Sequence, residues 1–139
     1  AHDRLFHLEI AALREALAVM RGLRLPVVRL PGTPSHWLGF ALRRLPAWSY
    51  RGFLARKVAR GRGGKPPSLH VDLAAQRGRS EIEFLNGAVA RHAKALGLAA
   101  PVNAGLARLL GAIVSSETPW EHYRANPDRL ADRLLSGDF

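Results

Sequence analysis

The stretch GRGGKPPSLHVDLAAQRGRSEIEFLNG, residues 61–87, decides how the whole chain reads. Its basic, glycine-rich start predicts a loop over Gly61 to Gly64, and Ser68 opens a short helix to Gln76. Arg77-Gly78-Arg79 turns the chain into the most strongly periodic segment, a helix from Ser80 to Leu96. Ser80 and Glu83 form its capping box, Ile82, Leu85, Val89 and Leu96 line one face, and Gly97 closes it. Asn86-Gly87 falls inside that helix, where the pair costs on the order of 1 kcal/mol against alanine. A close contact or a bound ligand is therefore expected to offset it.

Outward from this centre the chain continues as helix. Leu5, Leu8, Ala12, Leu13, Ala16, Val19 and Met20 recur at helical spacing from Asp3 to Gly22, with Asp3 as N-cap and Gly22 as the stop. Leu25 to Pro34 is extended or turn-like, because prolines and a glycine interrupt it. Ser35 caps a helix through Arg44, and Pro46 separates it from another over Ala47 to Ala59. Downstream, a helix covers Val102 to Val114, and Thr118-Pro119-Trp120-Glu121 starts the next with a capping box. Asn126-Pro127 starts a last helix through Leu135. No alternating strand pattern competes, so the reading is an all-α, compact multi-helix domain of 139 residues.

Composition excludes several classes. With no cysteine, neither disulfides nor thiolate metal sites hold the chain together, and a reducing compartment is unopposed. The six histidines show no paired metal spacing, and no metal is expected. No apolar run reaches the ~18 residues of a membrane span. The net charge of +10 is unevenly spread: no acid occurs between Glu15 and Asp72, an interval holding every basic residue from Arg21 to Lys65. That segment is either a solvated arginine-rich face or an attractor for phosphates, nucleic acid, an anionic surface or an acidic partner.

The central motif resembles the C-terminal domain of the ketopantoate reductase (2-dehydropantoate 2-reductase) family. Pro67-Ser68-Leu69-His70-Val71-Asp72, then Gly78-Arg79-Ser80-Glu81-Ile82-Glu83-Phe84-Leu85-Asn86-Gly87, then Ala100-Pro101-Val102-Asn103 with Leu106 follow the family's P-S-M-x-x-D, G-R-x-T-E-I-D-x-L-N-G and T-P-V-N-x-x-L. The match covers Lys65 to Leu110, with the flanks matching in helical character. The Asp72 to Glu81 stretch runs one residue longer than the commonest pattern. The resemblance implies a helical domain like the C-terminal one of 6-phosphogluconate dehydrogenase.

Each candidate residue also has a plainer reading. A carboxylate at Glu81 suits a helix's first turn whatever it binds; since Glu83 takes the capping role, Glu81 is free, and it matches the family's substrate-contacting glutamate. Ser68 is an ordinary N-cap by position, and by resemblance it anchors the substrate carboxylate at a helix N-terminus. Asn86 either packs on a neighbouring backbone or completes the substrate pocket, and Asn103 reads as a helix-start residue. Asp72 reads as a surface or helix-packing residue. Lys65 reads first as a solvated loop lysine and second as a contact to a cofactor phosphate.

No G-x-G-x-x-G follows a strand, and the family's K-x-x-x-N helix has no counterpart before Gly61. The expectation is a substrate and dimerisation domain whose partner is an N-terminal Rossmann domain of the same polypeptide, which binds NADPH. The resemblance implies a cytoplasmic enzyme reducing ketopantoate or a related keto acid to a 2-hydroxy acid, with the fragment alone inactive. Two other readings stand beside it. One is a basic binding module for nucleic acid or an acidic partner, resting on charge alone. The other is a homodimer contact through Trp37, Phe40, Trp48, Tyr50 and Phe53.

Overall fold

Helix α1 (Asp3–Gly22) is the element against which the others are arranged, because it buries apolar side chains on more than one face. The structure, a computed structural model, describes residues 3–29, 31, 34–61, 80–124 and 126–136. After α1 come α2 (Ser35–Arg44) and α3 (Ala47–Gly61), a 3-10 turn at Glu81–Glu83, then α4 (Asn86–Ala95) and α5 (Pro101–Val114). A second 3-10 turn, Trp120–His122, leads to α6 (Pro127–Ser136). Among the described residues there is no strand, so the all-α expectation holds. None of these helices is long and apolar enough to cross a membrane.

Three apolar clusters meet on α1. Leu8 packs with Val102, Leu109 and Ile113 of α5 and with Ala131 and Leu134 of α6. Phe6 and Ile10 pack with Ala41 and Leu42 of α2 and with Tyr50 of α3. Val19 closes against Ala93 of α4 and Ala100. A single apolar stripe, as the periodicity suggested, would have left Phe6 and Ile10 outside; a helix with neighbours on several sides buries them and leaves Leu13 41% exposed.

Polar chemistry at two adjacent residues of α1 sets where its neighbours end. Helix α5 begins at Ala100-Pro101 with no side-chain cap and no acid in its first turn, so its free amides need an acceptor from elsewhere. Glu15 supplies it. Its Oε1 accepts from the Val102 N–H and its Oε2 from the Asn103 N–H, both at 2.9 Å. Next to it, Arg14 Nε donates to the Leu42 carbonyl at 2.8 Å, and its Nη2 reaches the Tyr50 hydroxyl at 3.3 Å, serving the C-terminal end of α2. An anion meets the positive pole of one helix and a cation the negative pole of another, each the favourable sense of the helix dipole.

Several boundaries differ from the sequence reading. The expected Ser80–Leu96 helix is broken. Ser80 does cap, accepting from the Ile82 N–H at 3.2 Å, but Phe84 and Leu85 both return their N–H groups to the Glu81 carbonyl. Leu85, at φ −96° and ψ −85°, then leaves helical geometry, and α4 starts afresh at Asn86. The Glu83 carboxylate goes to Arg91 instead of back to Ser80, so the capping box gives way to a longer-range pairing. Leu85 accordingly lies 60% exposed instead of on a buried face. The Thr118 capping box also fails to start a long helix: the Thr118 N–H donates to the Ala112 carbonyl, holding it to the end of α5, and only the 3-10 turn follows. The Ser35 hydroxyl donates to the Val28 carbonyl rather than capping α2. Asp3 is already helical and pairs with Arg51.

Other terminators behave as read. Gly97 sits at φ +66°, and the Leu98 and Gly97 N–H groups bond to the Ala93 and Lys94 carbonyls, a left-handed closure of α4 that favours glycine. Asn126 caps α6, its Oδ1 accepting from the Arg129 N–H at 3.1 Å.

Replacing Glu15 with Ala leaves two α5 amides without their acceptor and the Asn103 amide with the Ala12 carbonyl in place of two acceptors; urea unfolding should show a loss of about 2–4 kcal/mol. A loss under about 0.5 kcal/mol would mean that water replaces the carboxylate at no cost. At the other end of α1, the hydrogen bond from Arg51 holds the Asp3 carboxyl below its ordinary value of 3.8. The pairing is therefore fully present above that value and is lost as pH falls through the lowered one. Arg51→Ala should raise the Asp3 pKa toward 3.8, which NMR titration of its carboxyl reads directly.

Candidate functional site

The residues from Ser80 to Gly87 form a tight turn on the surface, fastened at both ends. Ser80 fixes its start through the Ile82 amide. At its other end, Asn86 Nδ2 donates to Asn103 Oδ1 at 2.8 Å. Asn103 is only 3% exposed, and its own Nδ2 donates to Glu15 Oε2 at 2.6 Å and to the Ala12 carbonyl at 3.0 Å. The turn is thus tied through two amide side chains to the centre of α1.

Gly87 explains why the Asn-Gly pair is tolerated. It is buried in the first turn of α4, and a Cβ added there would lie 2.8 Å from the Glu83 carboxyl carbon. The close contact expected to offset the pair is therefore the Glu83 side chain, held over the helix start by Arg91. Arg91 Nη2 also donates to the Glu83 carbonyl at 3.3 Å, clasping the turn a second time. A carboxylate there is also favoured by the positive end of α4.

This arrangement separates the two glutamates. Glu83 is engaged with Arg91, whereas the Glu81 carboxylate is exposed and has no hydrogen-bond or ion-pair partner among the described residues. Beside it, Phe84 is 78% and Leu85 60% exposed, so one short turn presents a carboxylate and two apolar side chains to solvent. A carboxylate so placed can accept from a hydroxyl or an amide.

Asn86 is brought to Asn103, so it braces the turn from within, whatever its remaining oxygen meets. Lys65, Ser68 and Asp72 lie outside the described residues. Among the described residues no three His, Asp or Glu side chains gather as a metal site would require. Glu15 is the residue the sequence reading missed. Its signal was present in two places: it is the last acid before Asp72, and the Ala-Pro-Val-Asn start of α5 carries no acceptor of its own. Asn103 does more than begin a helix, since it joins Glu15 to Asn86.

Of the aromatic residues read as a dimer contact, Trp37, Phe40 and Trp48 are 45%, 53% and 79% exposed, and Trp37 stacks edge-on with Phe53 at 5.2 Å. Tyr50 does not belong with them. It is fully buried, because its ring fills the α1–α2–α3 cluster and its hydroxyl has Arg14 as donor.

A family model described as ketopantoate reductase PanE/ApbA C terminal matches residues 7–114. Comparison with curated proteins and with solved structures gives no match.

Proposed function

Because the chain belongs to the ketopantoate reductase family through that C-terminal domain, we propose that it supplies the substrate side of an enzyme that reduces a 2-keto acid to a 2-hydroxy acid. The observation that carries the assignment of a site is the division of labour between the two glutamates: Glu83 is engaged with Arg91, and Glu81 stands exposed without a partner among the described residues. Glu81 accepts a hydrogen bond from a hydroxyl of the substrate, and the helix start at Ser68 holds its carboxylate. Asn86 keeps the turn in place through Asn103.

The exposed Phe84 and Leu85 support a cleft on this face, since an apolar pair beside an acceptor carboxylate gains by being covered when substrate and a second domain close over it. The described residues hold no strand followed by a glycine-rich turn, so they do not fit a dinucleotide. NADPH binding belongs instead to a Rossmann unit of the same polypeptide, where the bound cofactor supplies the hydride. The chain's own contribution is to bind and orient the keto acid.

In a polypeptide carrying that unit, NADPH oxidation should depend on a 2-keto acid, and the 139-residue chain by itself should show none. Glu81→Ala should lower kcat/KM by about 10- to 100-fold, the worth of one hydrogen bond to a charged acceptor, with the circular dichroism spectrum unchanged. Ser68→Ala should raise KM for the keto acid. Unchanged kinetics in Glu81→Ala, or no turnover across a broad panel of keto acids, would remove the proposal.

A further inference from the structure

Four arginines line one concavity between α1 and α2, and no described carboxylate neutralises their positive charge there. The hollow holds about 900 Å³ and is walled by Arg14, Arg21, Arg43 and Arg44, with Leu17, Phe40 and Pro46 among its apolar surfaces. A smaller one of about 380 Å³ adjoins it, sharing Leu17, Arg21 and Arg43 and adding Arg24 and His36. Among the described residues no aspartate or glutamate lines either.

Five of the described carboxylates are committed elsewhere. Asp3 pairs with Arg51, Asp128 and Asp132 with Arg4, and Glu83 with Arg91, while Glu15 caps α5. Among the described residues, Arg21 and Arg44 have no ion pair, and Arg43 hydrogen-bonds through Nε to the Gly39 carbonyl at 3.0 Å, with no partner for its two terminal nitrogens. Arg14 is fixed by its bonds to Leu42 and Tyr50, which gives the hollow one rigid positive wall. Cations in the last turns of α1 and α2 do suit those helix ends. That preference explains the residue type, but it is met by one cation per helix and does not call for four around one hollow.

We propose that this concavity binds a small molecule carrying two or more phosphate groups, with Arg21, Arg43 and Arg44 taking the phosphates and Leu17, Phe40 and Pro46 covering its apolar body. Guanidinium groups pair with phosphate oxygens two at a time, and several in one hollow select for more than one phosphate. The volume lies within the ~300–1,000 Å³ range of small-molecule sites. A duplex nucleic acid is the poorer fit, because its recognition uses a projecting element and this site is a recess. The half-exposed Phe40 ring gives a planar ligand a surface to lie on. This inference is independent of the keto-acid reading, which rests on the turn at Glu81.

The test is isothermal titration calorimetry of the chain at low ionic strength with ATP, inorganic tripolyphosphate and a 20-base-pair DNA duplex as probes. Saturable one-to-one binding of ATP and tripolyphosphate, weakened at least tenfold in the Arg21→Gln/Arg44→Gln double variant, supports the site. Both residues are exposed, and an unchanged circular dichroism spectrum confirms that the variant folds; should it not fold, the single variants replace it with a smaller loss each. Arg124→Gln, outside the hollow, should bind as the parent does. No saturation with either phosphate compound, equal binding by the double variant, or binding of the duplex alone would overturn the proposal.

Discussion

Two neighbouring side chains of opposite charge, Arg14 and Glu15, hold this domain in register. A helix end leaves backbone groups without partners, and here those of two helices are met by the middle of a third. Glu15 accepts from the first free amides of α5, and Arg14 donates to the last carbonyls of α2. Apolar burial supplies most of the driving force, but it is non-directional and would tolerate α5 sliding along α1. The paired amides would not, because a shift of one residue would take the carboxylate away from both.

The same carboxylate extends its influence outward. Asn103 donates to it, Asn86 donates to Asn103, and Asn86 opens the helix that follows the turn holding Glu81. Each link is a hydrogen bond between side chains that are half-buried or buried, where a lost partner costs more than at the surface. The turn can therefore be short and exposed and still keep its shape. At its other end Ser80 caps the Ile82 amide, and Arg91 holds Glu83 over the start of α4 so that the two glutamates do not compete for one position.

How much of this the sequence made legible varied with the range of the interaction. Helix α1 from Asp3 to Gly22 and α2 from Ser35 to Arg44 have the boundaries that periodicity and breakers predicted, because prolines, glycines and i to i+4 spacing act locally. So did the closure at Gly97 and the cap at Asn126. The capping boxes at Ser80 and Thr118 misled, since each motif lost its carboxylate or its backbone to a partner beyond the four-residue reach of the box: Arg91, eight residues on, in the first case, and the Ala112 carbonyl, six residues back, in the second. Tyr50 was read as a surface aromatic for the same reason: nothing within its own helix reveals that Arg14, on another helix, meets its hydroxyl. At the site, Glu81 stood out because its neighbour was otherwise employed, although the employment differs from the one expected. Glu15 stayed hidden among α1's surface residues, since its value depends on a helix start that lies 88 positions away.

Asn103 and Asn86 carry the fixed position of α1 to the turn at Glu81. The most direct measurement is a double-mutant cycle on kcat/KM between Asn103 and Glu81, in a polypeptide that joins this domain to the proposed cofactor unit, with a 2-keto acid as substrate. Asn103→Ala should lower kcat/KM severalfold when Glu81 is present and have little further effect in the Glu81→Ala background, because the residue acts through that carboxylate. Strictly additive losses would show that Asn103 supports the fold alone and that the turn at Glu81 takes no direction from it.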